Sequence, residues 1–465
     1  MKASPTMALF RDGSFRIFWI GQTVSWFGCV MQSVAQGWLV WSLTHSAGQL
    51  ALTAIMVSLP LLLFTLPAGV LADRVDRRSL LIATQGASLI PALLLGVLTA
   101  NAAITAPLVL VLAFLQGTVN AFDVTVRQAF LSEVAPCGAL HQAVALNAVS
   151  FNATRMFAPA LAGCTIAAFG AAPCFFINAF SFLLAIGALL LVRPAATSRQ
   201  VGNLSHGADA PPSQPPPSGG RSNGSHPPAL TAIKQSDPLP RTGSTGGHAL
   251  PLAELREGFS FVLNHDEIGR LLLMVALMSL LGIPFVPLLP AFADALQVGA
   301  RGLGAMSACA GAGSLLAAAA LALAGEIRVQ KKAATPAAML FAAALLLFSL
   351  SGGYYLSLFA LFLAGGSIVT FLTLVSGALQ QSCPDRLRGR VMAAYSVALL
   401  GMAPLGNALL GVLAATLGAA PALSLSSSLC LAAMMLLRNL APAALSHPPH
   451  PNSPSAFARA SADRL

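Results

Sequence analysis

Charge is what this chain has least of. Asp, Glu, Lys and Arg make up 9% of its 465 residues, against about 25% in an ordinary soluble domain. So few charged side chains cannot cover a sequence that is 56% hydrophobic. That excludes a water-soluble enzyme, a secreted scaffold and a soluble nucleic-acid binder. Cysteine is sparse as well: the chain has seven, with no C-x-x-C pair and no Cys/His cluster. Neither a disulfide framework nor a metal site is expected, and no cofactor. Cys29, Cys164, Cys309 and Cys430 fall inside apolar runs and read as small packing residues. No G-x-x-x-x-G-K-[ST] phosphate loop occurs, which argues against an ATP-driven pump. No charged ring or filter-like stretch argues for a channel.

What the chain does have is apolar runs of membrane length. Twelve spans are predicted, at about 17–42, 49–72, 79–100, 104–126, 139–169, 172–192, 270–293, 301–325, 333–352, 354–380, 391–418 and 420–440. The run Ile17 to Trp41 is too long for a signal-peptide core and carries Gln22, Gln32 and Gln36, so it reads as an uncleaved first span. The expected class is an all-α polytopic membrane protein with two six-helix bundles. Its parts are a first bundle over 1–192, a linker over 193–250, an amphipathic segment over 251–269, a second bundle over 270–440 and a tail over 441–465. The linker holds the run Pro211 to Gly220, rich in Pro, Ser and Gly. With almost no large apolar side chains it cannot offset its ordering entropy, so disorder is expected there and in the tail. In the amphipathic segment Leu252, Leu255, Phe259 and Val262 share one helical face, which suits the membrane interface, a cytosolic extension of the seventh span being the alternative.

The basic residues give the orientation. Arg74, Arg77 and Arg78 follow the second span, Arg127 the fourth, Lys331 and Lys332 the eighth, and Arg386, Arg388 and Arg390 the tenth. The connections around Asn101, Gly170, Gly353 and Ala419 have none. By the positive-inside rule both termini and the linker are cytoplasmic, and a bacterial inner membrane is the expected location. The halves also look related. Leu71 to Arg78 and Leu323 to Lys332 close corresponding spans, and Ala158-Pro159 corresponds to Ala403-Pro404. Repeats of this kind build secondary transporters, with the site near midplane between them.

The run Gly69-Val70-Leu71-Ala72-Asp73-Arg74-Val75-Asp76-Arg77-Arg78 resembles the loop between helices 2 and 3 of the major facilitator superfamily. Asp76 stands where that family usually has glycine, and a left-handed turn is expected there, which Asp tolerates. Asn120 to Leu131 and Pro384 to Met392 look like the exporter branch that contains the enterobactin exporter and macrolide-efflux-like proteins. The resemblance implies a conformational latch at Gly69, Asp73, Arg74, Arg77 and Arg78. It also implies a small-molecule substrate, efflux or antiport, and protons as a coupling ion, which the residues themselves do not show. Membrane lipids are the remaining partners expected, with no nucleic acid, no enzymatic activity and a monomeric chain. Arg155 to Gly163 is similar to the Gly-Pro signature of antiporters, with Ala158 in place of the usual glycine. Pro159, Gly163 and Pro404 are therefore candidate hinges, a packing kink being the alternative.

Polar groups inside a span need a partner or water. Gln22, Gln116, Asn120, Asn152, Arg155 and Tyr395 are candidate cavity residues, with a helix–helix hydrogen bond as the alternative for each Gln or Asn. Arg155 lies near the middle of its span, where water or a carboxylate must reach it. Asn152, one turn earlier, could hold it in place. Asp123 is its one possible deep partner, but Arg127 one turn on and Arg77 in the loop compete for that carboxylate, and a structural Asp123–Arg127 pair is expected. Three readings follow: an exporter of a siderophore or drug-like compound, an importer of the same fold, and a sensor or scaffold that has lost transport.

The linker generates the first prediction. Deleting about half of residues 200–245 is expected to leave transport largely intact, because ~25 flexible residues still reach about 25–30 Å. Transport in cells expressing the shortened chain checks this, and a protease-resistant 193–250 fragment would contradict it.

Overall fold

The computed structural model of the chain describes residues 9, 11–136, 139–192, 266–323, 333–383 and 385–444, and every regular element among them is helical. This is the architecture hydrocarbon demands, since a helix pairs its own backbone groups. The first half holds α1 (Gly13–Thr44), α2 (Ala47–Arg74), α3 (Arg77–Ala100), α4 (Ala106–Val134), α5 (Leu140–Phe169) and α6 (Ala172–Leu191). The starts are legible as caps. Asp12 accepts the Phe15 amide at 2.9 Å and Ser46 the Gln49 amide at 3.4 Å, while Pro stands in the first turn of α4 and α6. Gly170, with φ +80°, ends α5 in a conformation that favours glycine.

The second half is less regular. One pass is assembled from α7 (Asp266–Leu277), a π turn at Met278–Gly282, a 3-10 stretch at Ile283–Leu288 and α8 (Leu289–Ala295). Next come α9 (Gly299–Leu323), α10 (Ala334–Leu350) and α11 (Tyr354–Ser382). A second interrupted pass joins α12 (Asp385–Ser396), a π turn at Val397–Gly401 and α13 (Met402–Leu417), and α14 (Ala419–Ala444) closes the chain. Pro284, Pro287 and Pro290 lack the amide that a regular helix needs, and so does Pro404, just beyond the second π turn. Carbonyls at both π turns are taken by hydroxyls. Ser279 donates to the Leu399 carbonyl at 2.5 Å, and Ser426 to the Leu281 carbonyl at 2.7 Å.

Nine segments among the described residues are long and apolar enough to cross a membrane. Ala334–Leu350 is apolar but shorter. The two long helices outside that set are α1 and α5, which carry Gln22, Gln32, Gln36, Asn147, Asn152 and Arg155. Several helices overrun the predicted spans. α4 continues to Val134 rather than 126, and α14 runs through Ala444. The predicted linker at 193–250 and most of the amphipathic segment and tail lie outside the described residues.

The halves meet where small residues let backbones touch. α5 crosses α9, and α2 crosses α13. A Cβ on Gly304 would sit 2.6 Å from the Pro159 carbonyl and 2.8 Å from Gly163 Cα, and one on Gly163 would sit 2.6 Å from the Ala300 carbonyl. A Cβ on Gly311 would collide with the carbonyl of Arg155, and one on Gly411 with the side chain of Ala51. Within the second half, Gly365 packs equally tightly on the Ala310 carbonyl of α9. Two alanine substitutions should therefore differ in effect. Gly365→Ala overpacks the inside of one bundle and is expected to lower thermal stability in detergent by about 1–3 kcal/mol. Gly304→Ala disturbs the contact between bundles, so thiol labelling of a cysteine at position 162 should rise several-fold with a smaller change in melting temperature.

Candidate functional site

One stripe of α5 shows where the cavity lies. Val144, Ala148, Phe151, Arg155, Ala158, Ala162 and Ile166 follow each other at three- and four-residue steps and so share a face. The first four are exposed and the last three buried. Ala158, Ala162 and Ile166 are packed with Met31, Ala35 and Leu39 of α1 and with Ala291 and Ala300 of the second half. The stripe therefore faces the space between the halves. Its exposed part lies towards the end of the fold that carries Arg77 and Glu133, and its buried part, the closed region, towards Gly170. A cavity of about 240 Å³ lies in the closed region, lined among others by Ser33, Gln36, Thr53, Val57, Pro290 and Ser307. Gln36 is buried there, and its Nε2 has no hydrogen-bond partner among the described residues.

Beside the stripe the first half holds a buried polar network. Asp123 and Arg127, one turn apart on α4, form an ion pair. The Asp123 carboxylate also accepts from Gln85 Nε2 at 2.7 Å and Thr84 Oγ1 at 3.0 Å, and Ser25 Oγ donates to Gln85 Oε1 at 3.2 Å. This ties α1, α3 and α4 together around one charge pair. Arg127 Nε and Nη1 have no hydrogen-bond partner among the described residues; the guanidinium instead lies 5.6 Å from the centroid of the Trp26 ring. Trp26 meets Phe151 edge-on at 5.4 Å, and the Arg155 guanidinium lies 5.8 Å from the Phe151 centroid. Two arginines thus flank an aromatic pair at the open end.

A family model described as a transmembrane secretion effector matches residues 4–205 and 249–452. The chain belongs to that family of major facilitator transporters. The staphyloferrin A transporter of Staphylococcus aureus (strain NCTC 8325 / PS 47) is 29% identical over 181 residues, 38% of this chain and 43% of that protein. YfiS, an uncharacterized MFS-type transporter of Bacillus subtilis (strain 168), is 31% identical over 150 residues, 30% of this chain and 34% of that protein. The chain thus spans less than half the length of these relatives. In fold it is similar to a POT family transporter solved with 5-aminolevulinic acid, at a TM-score of 0.64, 10% identity and coverage of 92% and 95% of the two chains. It is also similar to a bacterial homolog of the human lysosomal transporter Spinster, at 0.58, 14% identity and 94% of each.

In this major facilitator transporter the sequence-predicted residues fall into distinct places. Arg77 pairs with Glu133 at the end of α4 at 2.7 Å, and Arg78 donates to the Leu189 and Leu190 carbonyls of α6, each at 2.7 Å. Gly69 lies half-buried in α2 with open space at its Cα, and Arg74 is exposed in the last turn of that helix. Asp73 lies in α2, its side chain outside the described residues. The left-handed turn expected at Asp76 is absent: its φ is −58°, and its carboxylate caps α3 by accepting the Ser79 amide at 2.9 Å and hydroxyl at 2.7 Å. Asp at this position gives a cap where glycine would give freedom.

Gln22 is buried over a gap of about 10 Å³ among α1, α3 and α6, away from the space between the halves, with Nε2 unpartnered. Gln116 donates to Ser88 at 3.3 Å, and Asn120 is half-buried. Asn152 does not hold Arg155; its Nδ2 bonds back to the Ala148 carbonyl at 2.8 Å on its own helix. Arg155 is not joined to Asp123, which Arg127 already engages. Tyr395 is half-buried against the second-half core. α5 passes Pro159 without interruption, and Pro159 and Gly163 form the contact with Gly304; Pro404 follows the π turn of the interrupted pass. Sequence reasoning missed Trp26 and Phe151, although an aromatic one turn from an intramembrane arginine was a readable signal.

The pair at Asp123 generates a stability prediction. Asp123→Asn leaves a buried guanidinium without its counter-charge and is expected to cost about 3–5 kcal/mol in unfolding measurements. Adding Arg127→Met should recover much of that loss, because an apolar pair of similar volume leaves no orphaned charge.

Proposed function

We propose that this chain is a secondary active exporter of a small molecule of siderophore or drug-like size, working by alternating access across twelve membrane crossings. The single observation that carries the reading is the α5 stripe, exposed from Val144 to Arg155 and sealed from Ala158 to Ile166. A carrier caught between halves that touch at one end only is one of two shapes such a cycle needs. With the basic loop placed in the cytoplasm, the open end faces inward, where an exporter collects its cargo. The loop then has the position of a disengaged latch, held by contacts to α4 and α6 of its own half. Likeness to a staphyloferrin A transporter and to a secretion effector family supports a small-molecule cargo and outward movement.

The test joins geometry to flux. In a background without the natural cysteines, a cysteine at Ala148 is expected to react with an impermeant maleimide in inside-out vesicles and hardly at all in intact cells. Cells making the protein should accumulate less of a fluorescent dye substrate, and an uncoupler should abolish the difference. Higher accumulation would make it an importer, and accumulation identical to that of control cells would leave a protein that does not transport.

A further inference from the structure

The inner half of α5 presents a guanidinium that no carboxylate in the described residues neutralises. Arg155 is exposed on the stripe facing the space between the halves. The two acidic groups of the adjoining α4 are engaged elsewhere: Asp123 by Arg127, Gln85 and Thr84, and Glu133 by Arg77. What does stand beside Arg155 is apolar and flat. Phe151 lies one turn back, and Trp26 of α1 meets it edge-on. At the same level the Arg155 carbonyl abuts Gly311 of α9, so the corner sits where the stripe passes from open to sealed.

We infer that this corner is a binding site for an organic anion, a small carboxylate-bearing molecule whose apolar body lies on the Phe151 and Trp26 rings. A guanidinium fork matches a planar carboxylate with two parallel hydrogen bonds. The reading also supplies a reason for the charge. When the open end closes, Arg155 passes from water into a sealed contact, and an unpaired cation there is strongly disfavoured. A carboxylate neutralises it, so the loaded carrier closes more readily than the empty one, a differential affinity for one shape. A cationic cargo would meet an uncompensated like charge, and a neutral one would leave the guanidinium unpaired.

The inference rests on the transport reading for the closing step but not for binding, and the experiment separates them. Purified full-length protein in lipid nanodiscs is titrated with 1-naphthoate, 1-naphthalenemethanol and 1-naphthylmethylammonium while intrinsic tryptophan fluorescence is followed. The carboxylate is expected to bind at least ten-fold more tightly than the alcohol, and the ammonium most weakly. Arg155→Gln should remove that preference while leaving the alcohol unchanged, and Arg155→Lys should retain part of it. Phe151→Leu, at an exposed position, should weaken all three probes without changing their order, which keeps the test valid if an Arg155 variant folds poorly. Equal binding of carboxylate and alcohol by the unaltered protein, no binding of 1-naphthoate at millimolar concentration, or unchanged 1-naphthoate binding by Arg155→Gln would overturn the site. Arg155-dependent binding without flux in vesicles would sink the transport reading and leave the site standing.

Discussion

Between α5 and α9 the two halves touch backbone to backbone, and the rest of the arrangement depends on that contact. Lipid offers no hydrophobic reason for helices to associate, so the crossing must be held by close steric fit. Gly163, Gly304 and Gly311 provide it, because at each a single added methyl group would enter the opposing backbone. The tight backbone approach runs from Gly163 and Gly304 to the Arg155 carbonyl and Gly311. Beyond it, towards the basic loop, the same face of α5 is exposed. The Arg155 carbonyl, packed on Gly311, lies where the exposed and the buried parts of the α5 stripe meet.

Much of the fold was legible because hydrocarbon leaves few choices. The apolar runs gave the helices, and caps such as Asp12 and Ser46 explain where they begin. The loop motif found its place between α2 and α3, and the family match covers both halves. The two interruptions were not legible. Proline marks a possible break but does not say whether a helix bends around it, and α5 runs straight through Pro159 while the passes at Pro284 and Pro404 change helix type. The outcome depends on hydroxyls from other passes, Ser279 and Ser426, which no local pattern could pair with those carbonyls.

The candidate site shows the same limit at the level of single side chains. An amide inside a span can end up in three kinds of place, and the sequence does not choose among them. Asn152 turns back to its own helix, Gln116 reaches a neighbour, and Gln22 packs into a gap inside one bundle. The arginines divide just as sharply. Arg127 meets a carboxylate one turn away and becomes a structural tie, whereas Arg155 has no acidic residue at that spacing on its own helix. Spacing along the chain made the first readable, and only the tertiary packing made the second so.

Buried charge and irregular backbone fall in different halves of the described structure. The first half has uninterrupted helices; the charge pair lies in its interior, and the Phe151 ring and the Arg155 guanidinium lie exposed beside it. The second half has both π turns, three prolines in one pass and no charged side chain deep in any described pass. A continuous helix holds a side chain at a fixed angle, which suits a group that must meet a ligand in one geometry. A π turn keeps surplus carbonyls near the surface of the helix, where a hydroxyl can exchange one for another at little cost. The Ser279 hydroxyl bridges the two interrupted passes through the Leu399 carbonyl. Those passes reach the first half through Pro290 against Gly37 and Gly411 against Ala51. Buried charge thus lies within the first half, and the irregular backbone lies in the second.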